Sequence, residues 1–222
     1  MNHQTIGKSI YRPPDIAAFL DAGDRLPAAK LCLEFANTAD WHASEHPVET
    51  LTNYEALVDW SERIGLLSAQ TATDLRTQAK NAPALAEQIH LWAVELREAL
   101  YRIFAAVAAG DRPAQDDIEL LNEALPLAFA NPTLMPTEQG FAFRYRTGEG
   151  LDQMLWPILR SAALLLTSPD LDRVGQCADD RGCGFLFFDT SRNRSRRWCD
   201  MSSCGNRAKA RRHYARVRAD EA

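Results

Sequence analysis

Cys177-Ala-Asp-Asp-Arg-Gly-Cys183 and, after fifteen intervening residues, Cys199-Asp-Met-Ser-Ser-Cys204-Gly205-Asn206-Arg207 decide the reading of this chain. They form two close cysteine pairs, one with five residues between and one with four, in a segment dense in arginine. Tetrahedral Zn²⁺ takes four soft ligands at about 2.3 Å, and two short Cys-turn-Cys loops can supply them. The spacings lie at or just past the wide end of the usual range, so each pair is a loose knuckle. Two disulfides or four unrelated thiols are the alternatives. No sign of an oxidising compartment supports the disulfides, which favours a metal held by Cys177, Cys183, Cys199 and Cys204. Four sulfur ligands leave no open position, so the ion is structural rather than catalytic.

Between the pairs, Phe185 to Phe188 is a β-prone aromatic run and Ser191-Arg-Asn-Arg-Ser195 is turn material. Arg196-Arg197-Trp198 is expected to return as a second strand. Arg207 to Arg218 then holds good helix formers with no proline or glycine. A knuckle, a hairpin and a helix with the last ligand at its start describe a treble-clef-like zinc finger with four cysteine ligands. So small a unit buries little apolar surface alone, and metal binding supplies much of its folding free energy.

Ser191-Arg-Asn-Arg-Ser-Arg-Arg-Trp-Cys-Asp-Met, followed by Cys204-Gly-Asn-Arg207, resembles the CGNR zinc-finger family. In that family the finger follows an ABATE domain, whose usual opening is similar to Leu31-Cys-Leu-Glu-Phe-Ala-Asn-Thr38 here. The resemblance spans nearly the whole chain. It implies a bacterial, stress-related transcription regulator whose finger binds DNA. The expected division is residues 1–170 as a mostly helical ABATE-like domain and 171–222 as the finger.

The net charge of −5 hides two parts of opposite sign. Residues 173–218 hold twelve basic and four acidic residues, a net of +8. Asp220 and Glu221 follow, so the first 172 residues carry −11. A basic module on an acidic body suits a polyanionic partner gripped by the module alone. No apolar run approaches the ~18 residues of a spanning helix, and residues 1–14 lack a signal-type apolar segment. The expected location is therefore the cytoplasm, with no membrane partner. Cys32 sits in an apolar run and reads as a small core residue.

The body reads as mainly α with a small antiparallel β-hairpin. Leu31 to Ala39 is a short apolar element. A loop through Trp41, His42 and His46 follows, read as plain surface rather than a second metal site. Asn53 caps a helix from Tyr54 to Ile64 that Gly65 stops, and Ser68 caps Ala69 to Ala79. The clearest helix runs from Pro83 to Ala109. Ile89, Ala93, Leu96, Leu100, Ile103 and Val107 recur on it at steps of four and three, a stripe for the core or for a coiled-coil homodimer. Glu95 and Glu98 read as its solvated face. Pro113 opens a helix to Ala130 that Pro126 can kink. A hairpin is expected from Thr133 to Met135 and Phe141 to Arg146. A last helix spans Leu151 to Thr167, with Pro157 either restarting or kinking it. Trp41, Tyr54, Trp60, Trp92 and Trp156 read as core rings, with a small-molecule pocket as the alternative.

The body has no G-x-S-x-G, P-loop, H-E-x-x-H or dinucleotide fingerprint, so an enzyme is not expected. The candidate contacts to double-stranded DNA are Arg192, Arg194, Arg196 and Arg197 at the hairpin tip and Arg207, Lys209, Arg211, Arg212 and Arg216 on the helix. On a helical wheel Arg207, Arg211 and Arg218 fall within about 40°, and Lys209, Arg212 and Arg216 within about 60°. An apolar strip between the stripes is expected to pack on the hairpin. Arg207 and Arg197 can alternatively pair with Asp189 or Asp200 or hold backbone carbonyls. The body would sense a small-molecule effector, bind a protein partner or drive dimerisation. A protein–protein adaptor and an RNA binder using Phe185, Phe187 and Phe188 are the other readings.

Overall fold

The computed structural model describes residues 28–130, 132–137, 140–145 and 150–220. The polar arm expected over residues 1–14 lies outside them, as does Arg146. The chain folds as a helical body followed by a small C-terminal finger.

Helix α1 (Ala28–Ala36) is the apolar element expected near Leu31; it extends further upstream and ends before Ala39. Leu31, Cys32, Leu33 and Phe35 are all buried, and α1 packs on α6 (Leu155–Leu166) and α4 (Pro83–Ala109). Burial pushes the Cys32 thiol up to about 12, in keeping with a core residue. A two-residue ladder follows, β1 (Ala39–Asp40) with β2 (Val48–Glu49).

Local chemistry sets the next helices. The Asn53 side chain accepts from the Ala56 amide and starts α2 (Tyr54–Arg63), which Gly65 ends at φ +81°. The Ser68 hydroxyl accepts from the Thr71 amide and starts α3 (Ala69–Asn81). In α4, Pro83 stands at the first position and Gly110, at φ +79°, provides the stop. Its stripe is intramolecular core: Ala93, Leu96, Leu100 and Ile103 are fully buried, with Ile89 and Val107 packed at the margin. Helix α5 (Gln115–Ala128) begins later than Pro113 and contains Pro126. In α6, Pro157 lies in the first turn, where its missing N–H has no helical partner to lose.

Strands β3 (Pro132–Thr137) and β4 (Gly140–Tyr145) form the expected antiparallel hairpin, longer than expected at most ends. Register places Pro132, Leu134, Pro136 and Phe141 on one face, and all four are exposed, Phe141 at 73%. Register Thr137↔Gly140 makes Pro132 and Pro136 outward, non-bonded positions, where strand proline is tolerated.

The finger departs from the expected hairpin. Leu186–Phe188 (β6) does form a strand, but its partner is Val174–Gln176 (β5), upstream of the first knuckle. Arg196–Trp198 is not a strand; its one ladder-like bond runs from the Ala178 amide to the Arg197 carbonyl. The reason is geometric: the first knuckle is itself the connection of the β5–β6 hairpin. The far edge of β6 is closed by a side chain, since Asn37 donates to the Leu186 carbonyl and accepts from its amide, both at 2.8 Å. Val174 and Leu186 are buried in the same apolar cluster as α1, α4 and α6. A wide π-type turn (Met201–Gly205) then leads into α7 (Asn206–Asp220).

Candidate metal centre and nucleic-acid interface

Each cysteine is delivered by a different local device. Cys177 follows β5, and its amide donates to the Phe185 carbonyl at 2.9 Å. Cys183 sits between Gly182 (φ +86°) and Gly184 (φ +66°), conformations that side chains resist. Cys199 ends the irregular return, and Cys204 closes the wide turn. Asp200 caps that turn by accepting from the Ser202 amide at 2.8 Å.

The four sulfurs lie within 4.8 Å of one another. Cys183–Cys199 and Cys199–Cys204 are each separated by 3.7 Å. A regular tetrahedron with 2.3 Å arms has edges of about 3.8 Å, so the sulfurs stand where a zinc ion needs them. A disulfide would need about 2.05 Å. Burial pushes the Cys183 and Cys199 thiols up; the neighbouring sulfurs add to this at Cys199, while the Phe185 backbone opposes it at Cys183. A divalent cation at the centre removes that penalty by binding them as thiolates. The donor set fits Zn²⁺, which would tie together the hairpin, the wide turn and α7. Among the described residues this is the only such cluster, and His42 and His46 form no second one.

Every residue of the Cys204-Gly-Asn-Arg207 run has its own task. Cys204 is a ligand. Gly205 admits Met201, whose sulfur would stand 2.9 Å from an added Cβ. Asn206 donates to the Ser202 carbonyl at 3.0 Å and secures the wide turn. Arg207 donates to the Cys204 sulfur at 2.8 Å and to Asp179 at 3.2 Å, so it ties the last ligand to the first knuckle.

Asp179 is a site residue that the sequence reading missed. Its side chain is completely buried and faces three guanidinium groups, Arg181 at 3.5 Å and Arg207 and Arg211 at 3.1 Å. Burial opposes ionisation. The Arg181 amide and the three arginines outweigh it and hold the carboxyl well below the usual range. Arg207 therefore pairs with Asp179, not with Asp189 or Asp200. Asp189 instead accepts from the amides of Ser191 and Arg196.

The other basic residues divide by environment. Arg194, at φ +47°, pairs with Asp172. Arg196 donates to the carbonyls of Trp198 and Cys199, its guanidinium 4.7 Å from the Phe187 ring centre. Arg211 also pairs with Asp180. Arg192, Arg197, Lys209, Arg212 and Arg216 are exposed and have no acidic partner among the described residues. Arg197 and Arg212 lie over the Trp198 ring, at 5.4 and 5.9 Å.

The apolar strip of α7 does not pack on the hairpin. From Arg212 to Arg218 every residue is exposed, with Tyr214 at 67%. Among the described residues the finger holds the first turns, through the Arg211 ion pairs and the contact of Arg212 with Trp198. The aromatic run is inside: Leu186 and Phe187 are buried, Phe185 and Phe188 half-buried.

The Trp41–His46 loop is not plain surface. The His42 side chain is buried, and its Nε2 donates to both Glu98 oxygens at 3.0 Å. Glu98 in turn accepts from Arg97, which holds Glu49 through two bonds of 2.7 Å. Glu98 thus belongs to a part-buried network, not to a solvated face. Tyr54 and Trp60 fill the core and Trp92 and Trp156 flank it, whereas Trp41 packs on the cysteine cluster. A cleft of about 730 Å³ runs between α1 and the finger, with Lys30, Glu34 and Arg63 on one side and Phe187, Arg196 and Asp200 on the other. Among the described residues no helix is long and apolar enough to cross a membrane.

Two family models match the chain. Residues 29–169 match ABATE, described as "Putative stress-induced transcription regulator". Residues 173–217 match the CGNR zinc finger. No curated protein matches. With most of its 222 residues inside the first match and the four cysteines inside the second, the chain belongs to the ABATE family and carries a CGNR zinc finger.

Proposed function

We propose that the chain is a DNA-binding transcription regulator that works in the cytoplasm and grips the duplex through the exposed length of α7 and the tip of the finger. The observation that carries this reading is the division among its arginines. Arg207 and Arg211 are consumed by Asp179, while Lys209, Arg212 and Arg216 are exposed, with no acidic partner among the described residues, on a helix that projects from its support. A projecting cationic helix fits a groove between phosphates. Arg192 and Arg197 at the tip extend the same surface. Arg194, Arg196, Arg207 and Arg211 then act by holding the platform rigid.

The RNA reading loses its stacking platform, because the Phe185–Phe188 run faces inward. The cleft between α1 and the finger supports an effector site, since a small molecule there would touch both parts. Its volume and aromatic walls suit one. Burial raises the Glu34 carboxyl in this cleft against the pull of Lys30.

Fluorescence-anisotropy titration of the zinc-loaded chain against duplex DNA tests the reading. Affinity should fall steeply between about 50 and 200 mM salt, with a log–log slope of about −0.9 per phosphate contact. No binding, or binding indifferent to salt, rejects it. Binding to a protein but not to DNA would favour the adaptor.

A further inference from the structure

The metal centre has a wall that the finger does not provide. Trp41, from the β1–β2 loop of the body, packs on the cluster of Cys177, Cys183 and Cys204. Two guanidinium groups of the finger lie over its ring, Arg181 at 5.0 Å and Arg207 at 5.3 Å from the ring centre, both within cation–π range. Arg207 is the residue that donates to the Cys204 sulfur. Trp41 therefore meets the sulfur cluster both directly and through the cation that touches a ligand.

The backbone around Trp41 is built for this contact. Trp41 has φ +55°, a region that bulky residues adopt only when their surroundings compel it. On one side His42 is held by Glu98, with its ring edge-on to Tyr101 at 3.5 Å. On the other, the Ala43 amide donates to the Gly182 carbonyl at 3.1 Å. The fit is too close for side chains: a Cβ on Gly182 would lie 2.5 Å from the Ser44 Cα, and one on Gly184 2.6 Å from the Ala43 Cβ. Tyr101 completes the seam by donating to the Gly184 carbonyl at 3.1 Å and accepting from Gln176 at 2.8 Å. Both glycines flanking Cys183 are thus explained by the body's approach, not by the knuckle alone.

We propose that Trp41 is a positioning residue of the zinc site, and that the body's Trp41–Ser44 strap closes the centre so that the metal is held by the whole chain. The strap clamps Arg181 and Arg207, which fix Asp179 and the Cys204 sulfur. Outer partners that orient metal ligands change metal retention by about 10–100-fold when removed. Zinc retention and docking of the body are then linked, and whatever loosens one loosens the other.

The test is the rate of zinc transfer from the full-length, zinc-loaded chain to an excess of a chromogenic chelator. Trp41→Ala should release zinc about ten-fold faster or more, with all four cysteines in place. Trp41→Phe, which keeps a π face for the arginines, should stay near the parent rate. Trp41→Leu, which keeps apolar volume alone, should follow Trp41→Ala. Tyr54→Phe breaks a body hydrogen bond to the Leu151 carbonyl away from the strap and should leave the rate unchanged. Equal rates for Trp41→Phe and Trp41→Leu, or equal acceleration by Tyr54→Phe, would overturn the proposal. If Trp41→Ala does not fold, the Phe–Leu pair decides alone.

Discussion

Arg207 and Arg211 share a helix with Arg212 and Arg216, yet the two pairs stand in opposite surroundings. The first pair is half-buried against a carboxylate with no solvent exposure; the second is exposed with no acidic partner described. A single step along the helix, from Arg211 to Arg212, separates a guanidinium held by a buried carboxylate from one left exposed. The difference lies not in the residue type but in Asp179, which reaches α7 only because the first knuckle folds under it. Basic residues counted along a chain therefore overstate the surface available to a polyanion.

Removing the metal should break this comparison most severely. A chelator, or Cys199→Ser with Cys204→Ser, deletes the ion that brings Asp179 under α7. Structural zinc contributes about 10–16 kcal/mol to comparable small units. We expect loss of stoichiometric zinc, loss of DNA binding at any accessible concentration, and near-ultraviolet signal changes from Trp41 and Trp198. Normal DNA affinity in a metal-free chain would defeat the account. Asp179→Asn comes next. It strands three guanidinium groups that are partly solvated, so a cost of about 2–3 kcal/mol is expected in finger stability by denaturant titration. Arg212→Ala should leave that stability unchanged, within about 0.5 kcal/mol.

Much of this was legible in the chain alone, and the parts that were not share a cause. Caps at Asn53 and Ser68, glycine stops and the α4 stripe act over one or two turns, and each appears where local chemistry calls for it. The four cysteines were legible because zinc imposes its own geometry on short spacings. The partner of β6 was not: Val174-Gly-Gln176 is too short and too glycine-rich to announce a strand, and Asn37 acts as its other neighbour from 149 residues away. Nor was the strap, since Asp40-Trp-His-Ala-Ser-Glu-His46 has the composition of a surface turn. The His42 ring is buried only because Glu98, 56 residues on, accepts its N–H. The available signal was the pair of glycines around Cys183, which ask for a close neighbour without naming it.

The exposed half of α7 can be tested without touching the ion pairs on Asp179. Arg212→Ala and Arg216→Ala should each weaken DNA binding by several-fold at moderate salt. Each should also flatten the log–log salt dependence by about 0.9. Arg207→Ala should behave differently: it should speed zinc loss, and with metal in excess its salt slope should remain near that of the parent. If Arg207→Ala and Arg212→Ala changed the slope alike and neither altered zinc retention, the division along α7 would be void.

The smallest effect concerns the network that anchors the strap. Glu98 lies below its ordinary value of 4.5, chiefly through the hydrogen bond from His42; burial opposes this and Arg97 assists it. Glu49 is also lowered: burial opposes, but the Arg97 guanidinium and the Leu51 amide prevail. Lowered carboxyls bind protons more readily in the unfolded chain. Their contribution is therefore complete above about pH 4.5 and disappears as pH falls through the folded values. Acid also strips zinc from thiolates, so the raw stability curve mixes two processes. The difference between parent and Glu98→Gln separates them, because both forms keep the same four cysteines. That difference should be about 1 kcal/mol near neutrality and should shrink towards zero below about pH 4. A difference that stayed constant, or grew on acidification, would mean that Glu98 holds His42 by shape rather than by charge.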